Sequence, residues 1–155
     1  MASILDGKSI LAVDDEPDVL TVLEEEIRQA CAGCTFDKAT TYEEAARLLG
    51  SKQYDIVVLD IMGVRGFELL EIAVKRHFNV AMLTAHALSA EALKKSHDLG
   101  ARDYLPKDKL GEITPFLEDM LKYEDKPGWE HLLEKLEGYF DSRFEGGWRS
   151  GLSDW

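Results

Sequence analysis

A chain of 155 residues, 45% of them hydrophobic, is long enough for one domain with a substantial buried core. Its 30 acidic and 18 basic residues leave a net charge of −12; such a surface repels phosphate backbones, so binding of nucleic acid is not expected. No apolar run approaches the ~18–20 residues that cross a bilayer, and residues 1–8 hold acidic Asp6 and no long apolar stretch, unlike a signal peptide, so the expected location is the cytoplasm, away from membranes.

Ser9–Val13 is a short apolar run that stops at Asp14-Asp15. Pro17 suits the first turn of a helix in which Val19, Leu20, Val22, Leu23 and Ile27 recur at helical spacing, and Gly33 closes that unit. Near its end Cys31 and Cys34 form a Cys-x-x-Cys. A zinc site needs about four ligands and the sequence has no second cysteine pair. A thioredoxin-like pair belongs at the start of a helix, not at its end. The two cysteines are read as small residues in a helix-to-strand turn.

Thr35–Ala39 reads as a second strand. Thr40 or Thr41 can cap the next helix, with Glu43 and Glu44 favourable in its first turn and Ala45, Ala46, Leu48 and Leu49 on its buried face. Ile56, Val57, Val58 and Leu59 are apolar on consecutive residues, the pattern of a parallel strand covered on both faces, and the run ends at Asp60. Phe67–His77 is a predicted third helix, with Phe67, Leu70, Ile72 and Val74 inward in some combination. Val80–Leu83 is a fourth strand ending at Thr84. Ser89–Leu99 is a fourth helix, capped at Ser89 and closed by Gly100. Arg102–Leu105 is a fifth strand reaching Lys107. Leu110–Tyr123 is a fifth helix in which Pro115 must lie in the first turn or cause a break.

Alternating strands and helices imply an α/β fold: a doubly wound, five-stranded parallel sheet with helices on both faces. Function then belongs to the loops at the carboxyl ends of the strands. Asp14 and Asp15, Asp60, Thr84 and Lys107 all stand at such ends. Three clustered carboxylates repel one another and call for a cation. Hard oxygen ligands favour Mg²⁺, which keeps waters and a phosphate oxygen in its shell. A hydroxyl and an ammonium suit the other oxygens of a phosphoryl group. The constellation describes a magnesium-assisted phosphoryl acceptor in which transfer to Asp60 gives an acyl phosphate.

The stretches Ile-Leu-Ala-Val-Asp-Asp-Glu-Pro (10–17), Asp-Ile-Val-Val-Leu-Asp (55–60), Ala-Met-Leu-Thr-Ala (81–85) and Gly-Ala-Arg-Asp-Tyr-Leu-Pro-Lys (100–107) occur in order. With them, residues 8–123 resemble the receiver domains of bacterial response regulators in two-component systems. The resemblance implies a flavodoxin-like receiver fold and a set of roles. Asp60 accepts phosphate from the phosphohistidine of a histidine kinase or phosphotransfer protein. Asp15, Asp60 and the Met62 backbone carbonyl ligate Mg²⁺ directly, and Asp14 acts through water. Thr84 and Lys107 contact phosphoryl oxygens. Tyr104 is the aromatic switch that turns inward when the threonine hydroxyl moves to the phosphate. Helix four, strand five and helix five form the output surface.

Two departures from the family pattern stand out. Asp108 follows Lys107 where the family usually has a proline on a cis bond. A cis bond before any other residue costs ~2.5–4 kcal/mol, so a trans bond or a reshaped loop is expected. The loop after Asp60 is also short, reaching Gly66 in six residues. Arg65 lies in that loop and is expected in solvent. His86, two residues after Thr84, stands near the rim, where a surface imidazole without a role is the expected reading. His77, His97 and His131 are scattered and suggest no metal site.

Residues 1–123 thus form the expected receiver and 124–128 (Glu-Asp-Lys-Pro-Gly) a linker. In 129–155, Trp129, Leu132, Leu133, Leu136, Phe140 and Phe144 recur at helical spacing opposite Glu130, Glu134, Lys135 and Glu137, an additional amphipathic C-terminal helix followed by an irregular tail. The 32 residues after Tyr123, eight acidic and four basic, are too few and too acidic for a DNA-reading output domain. Their apolar stripe is expected to pack on the receiver or in a homodimer, ahead of a downstream protein. The expected function is a phosphorylatable receiver that signals by protein–protein contact and catalyses only its own phosphorylation and slow dephosphorylation. The alternative is a pseudo-receiver, a constitutive binding or dimerisation module with the same fold. A phosphatase acting on external esters is disfavoured, because no separate acid/base dyad is evident.

Overall fold

The apolar runs form five parallel strands in the structure, a computed structural model that describes residues 4–61, 64–84 and 90–122. β1 (Ser9–Val13), β2 (Thr35–Ala39), β3 (Ile56–Asp60), β4 (Asn79–Thr84) and β5 (Asp103–Pro106) are joined through α1 (Pro17–Ala30), α2 (Tyr42–Ser51), α3 (Gly66–Lys75) and α4 (Ala90–Asp98). A 3-10 helix at Lys107–Glu112 leads into α5 (Ile113–Lys122). The strand order is β2-β1-β3-β4-β5, every pair parallel. This is the doubly wound α/β sheet that the sequence predicts. The order reverses direction between β1 and β3, so the crevice of the sheet opens between the ends of these two strands. α1 packs beside α5, and α2 beside α3.

The middle of the sheet is the core. β3 is buried at all five positions, and Ile10–Val13 and Val80–Leu83 are buried without exception. Each large aliphatic side chain so placed contributes roughly 1.5–3 kcal/mol of hydrophobic stabilisation. α1 meets this core through Leu20, Leu23 and Ile27, whereas Val22 faces solvent, 38% exposed.

Several element ends differ from expectation, each for a local reason. α1 stops at Ala30, where the Cys31 N–H bonds to the Ile27 carbonyl, so Gly33 lies beyond the helix end and does not close it. Gly33 instead packs on Asp6: a Cβ there would come within 2.1 Å of the Asp6 Oδ1 atom. Thr41, not Thr40, caps α2, accepting from the Glu44 N–H at 3.2 Å. α3 begins one residue before Phe67 and ends at Lys75, because His77 adopts left-handed backbone (φ 63°). The His77 N–H then bonds to the Val74 carbonyl and the Phe78 N–H to that of Ala73, the paired bonds of a Schellman stop usually built on glycine. α4 closes in the same way at Gly100 (φ 102°), as expected, with the Ala101 N–H on the Ser96 carbonyl. β5 begins and ends one residue later than predicted. The 3-10 turn takes Leu110 to Glu112 from the predicted fifth helix, and Pro115 sits harmlessly in the first turn of α5. Ser89, Met62, His86, Tyr123, the linker and the C-terminal helix lie outside the described residues.

Candidate functional site

Strand register brings the chemistry-bearing residues to one edge. Val13 is opposite Leu59, so Asp14 emerges level with Asp60. Asp60 is opposite Leu83 and Thr84 opposite Pro106, so Thr84 and Lys107 follow at the same edge. The main chain holds these ends in place: the Asp14 N–H bonds to the Ala39 carbonyl at 3.1 Å and the Ile61 N–H to the Leu83 carbonyl at 3.0 Å.

Asp14, Asp15 and Asp60 each bring a carboxylate oxygen to within 4.8 Å of the others. Asp14 and Asp60 are buried and Asp15 faces out. Lys107 lies over the cluster, its Nζ 2.8 Å from Asp14 Oδ2 and 3.5 Å from Asp60 Oδ1. Glu16 completes the ring at 3.1 Å from the same Nζ. The Glu16 N–H in turn donates to Asp14 Oδ1 at 2.9 Å.

The electrostatics follow from this packing. Burial pushes the Asp14 carboxyl above its ordinary range, against the pull of Lys107 and the Glu16 N–H. Burial disfavours the Lys107 ammonium, but Asp14, Glu16 and Asp60 outweigh it and hold the amine well above its ordinary value. The site therefore carries one fixed cation against four carboxylates, an excess of negative charge that a divalent cation offsets.

On the neighbouring strands, Tyr104 is fully buried. Burial raises its phenol above the ordinary value, with the neighbouring Thr84 side chain acting the other way. Thr84 is also buried, at the edge of the site. Arg65 points away from the carboxylates: it pairs with Glu68 and stacks 4.0 Å above the Tyr42 ring, in left-handed backbone (φ 56°) at the start of α3. The peptide bond between Lys107 and Asp108 is trans, as expected, for no cis bond occurs among the described residues. Cys31 and Cys34 are free, buried thiols in the turn after α1, where the Cys34 thiol donates to the Cys31 carbonyl at 3.2 Å.

Sequence reasoning missed Glu16. Its signal was an acid placed between Asp15 and Pro17, because the residue before a proline is held extended. Glu16 does take that backbone (φ −97°, ψ 106°) at the position preceding α1.

A doubly wound sheet with an acidic cluster and a lysine at its crevice defines a receiver-type signalling module. The response regulator receiver domain family matches residues 10–116, and the chain belongs to that family. It is a receiver domain of the two-component signalling type. It is similar to two response regulators of Arabidopsis thaliana. Identity to two-component response regulator ARR18 is 36%, over 65% of this chain and 16% of the relative. Identity to two-component response regulator ARR11 is 31%, over 96% of this chain and 27% of the relative. The chain therefore spans between a sixth and about a quarter of these relatives. The resemblance to bacterial receivers accordingly extends to plant proteins. Among solved structures, a CheY-like response regulator receiver domain protein from Methanospirillum hungatei superposes with a TM-score of 0.61 at 26% identity, covering 74% of this chain and 97% of that one. A two-component response regulator from Clostridium difficile shares the fold with a TM-score of 0.67 at 21% identity, covering 77% and 99%. Among the described residues no helix is long and apolar enough to cross a membrane.

Proposed function

We propose that this receiver is a phosphorylation switch whose acceptor is Asp60, charged by the phosphohistidine of a histidine kinase or phosphotransfer protein. The observation that carries the reading is the meeting of Asp14, Asp15 and Asp60 within 4.8 Å of one another beneath a single ammonium, that of Lys107. These residues fit Mg²⁺: three hard carboxylates, two of them buried, with one cation too few among them. Asp15, Asp60 and the Met62 carbonyl would hold it directly and Asp14 through water. When bound, the ion supplies charge neutralisation to the phosphoryl oxygens.

The chain's own residues do the rest. A carboxylate oxygen of Asp60 attacks phosphorus in line. The new O–P bond forms as the P–N bond to the donor histidine breaks, and the imidazole nitrogen leaves with the electron pair. Lys107 neutralises a phosphoryl oxygen from its place 3.5 Å from Asp60. The buried Thr84 hydroxyl turns to another phosphoryl oxygen. Tyr104 occupies the inward, buried position, where the acyl phosphate would hold it by biasing a two-state equilibrium. α4, β5 and α5 then present the output surface to a downstream protein or to a second copy. The receiver comprises residues 1–123, followed by a linker at 124–128 and the apolar stripe of 129–155, and the protein acts in the cytoplasm.

Intact mass spectrometry after incubation with acetyl phosphate and Mg²⁺ tests the reading. Wild-type protein gains one phosphoryl group and Asp60→Ala gains none. No gain by wild type under any donor would favour the pseudo-receiver, for which the short loop and the missing proline after Lys107 speak.

A further inference from the structure

The junction that holds Lys107 lacks the usual following proline, yet its ammonium is fixed. The last residue of β5, Pro106, sets the backbone just before it (φ −68°, ψ 143°), but beyond it the 3-10 turn is irregular, with Lys109 at φ −111° and ψ 25°. The loop alone is therefore a poor clamp for a long, flexible side chain. The clamp comes from α1. Pro17 at the first helical position restricts Glu16 to extended backbone, and the Glu16 N–H is tied to Asp14 Oδ1 at 2.9 Å. The Glu16 carboxylate then accepts from Lys107 Nζ at 3.1 Å, and Lys107 pairs with the other Asp14 oxygen at 2.8 Å. Asp14, Glu16 and Lys107 close a three-membered ring of polar contacts.

The geometry points to Glu16 as a positioning residue for Lys107: it holds the ammonium over Asp14 and Asp60 in the resting site and competes with an incoming phosphoryl group for it. The inference rests on the proposed role of Asp60 as acceptor. The two carboxylates that flank Lys107 differ in kind. Asp14 is wholly buried, while the Glu16 side chain is 63% exposed. Water can replace Lys107 at Glu16 but not at Asp14, so Glu16 is the partner that yields when a phosphoryl oxygen arrives. Glu16 also adds a negative charge at the mouth of a site that must admit a phosphoryl dianion.

The test combines a resting-state readout with a binding readout on Glu16→Gln and Glu16→Asp. Glu25→Gln, on an exposed position of α1, controls for net charge. In the resting protein, ¹⁵N-resolved exchange of the Lys107 ammonium protons with water is slow in wild type, several-fold faster in Glu16→Gln and intermediate in Glu16→Asp. In the second readout, beryllofluoride with Mg²⁺ binds about threefold tighter to Glu16→Gln than to wild type or Glu25→Gln, as expected for loss of one exposed competing pair. Unchanged ammonium exchange in Glu16→Gln, or no protected Lys107 signal in wild type, overturns the clamp. Faster exchange with unchanged beryllofluoride affinity overturns the competition. Failure of wild type to bind beryllofluoride or to be phosphorylated overturns the acceptor reading, while the exchange data still decide the clamp.

Discussion

Gly66 abuts the backbone of Asp60: a Cβ on Gly66 would come within 2.1 Å of the Asp60 carbonyl oxygen and 2.9 Å of Ile61 Cα. The first residue of α3 is thereby pressed against the proposed acceptor. This close approach is how the chain spans so short a loop after Asp60, and backbone cannot swing aside as a side chain can. Gly66→Ala must therefore push α3 away from β3. The expected cost is about 2–3 kcal/mol in urea unfolding, with a lower yield of phosphorylated protein under acetyl phosphate. An alanine variant as stable as wild type would show that the loop relaxes freely.

The buried carboxylates make stability depend on pH and on metal. The Asp14 carboxyl is raised in the folded state, so folding favours its protonated form. Its contribution to stability is present below the ordinary carboxylate value near 3.9 and is lost as pH rises through the higher folded value. Without divalent cation, Asp14→Asn should therefore gain on wild type as pH increases from about 3 to 7, by roughly 1 kcal/mol or more at the upper end. Urea unfolding in a chelator measures this. Adding Mg²⁺ should stabilise wild type more than the variant, since the variant has lost the carboxylate that would hold the ion through water.

Lys107 titrates with the opposite charge but the same sign of linkage. Its amine is raised in the folded state, so its stabilising contribution is complete below about 10.4 and fades as pH climbs through its folded value. Replacement by methionine leaves Asp14 and Asp60 without their cation. The expected loss is about 2–4 kcal/mol at neutral pH in chelator, with a smaller loss when Mg²⁺ is present. A loss independent of Mg²⁺ would mean that the ammonium and the metal do not share the same charges.

Thr84 and Tyr104 are both buried, Thr84 at the site edge and Tyr104 in the core. Tyr104→Phe keeps the buried ring and should cost less than about 1 kcal/mol. Thr84→Ala trims a buried side chain at the site edge and should cost about 1 kcal/mol. Both variants should still accept phosphate on Asp60, with a weakened response on the α4–β5–α5 face. Nuclear magnetic resonance shifts of that face, with and without beryllofluoride, report the response.

The cysteines supply a chemical check on the turn after α1. Burial pushes the Cys31 thiol up, and Cys34 is 5% exposed. Both should resist iodoacetamide at neutral pH in the native state and react promptly in urea. Prompt labelling of the folded protein would place them at a reactive surface.

The architecture was readable because it rests on short-range patterning. Consecutive apolar residues at 56–59 read as a strand covered on both faces, and Asp14, Asp60 and Thr84 stand at the strand edge that the pattern implied. The ends of elements were less legible. His77 stops α3 in a conformation usually left to glycine, so no local signal marked it. Glu16 was hidden for a different reason: its partner Lys107 lies 91 residues away, and only the folded sheet brings the two together. Arg65 was correctly assigned to solvent, but its stacking on Tyr42 depends on how α2 and α3 pack, which no spacing rule encodes.

Borohydride reduction of protein treated with acetyl phosphate and Mg²⁺, followed by peptide mapping, identifies the acceptor residue. Reduction converts an aspartyl phosphate to homoserine and leaves free carboxylates intact. Homoserine is expected at position 60 alone, and none without Mg²⁺. Homoserine at position 14 or 15, or at no position despite a reactive donor, would contradict Asp60 as the acceptor.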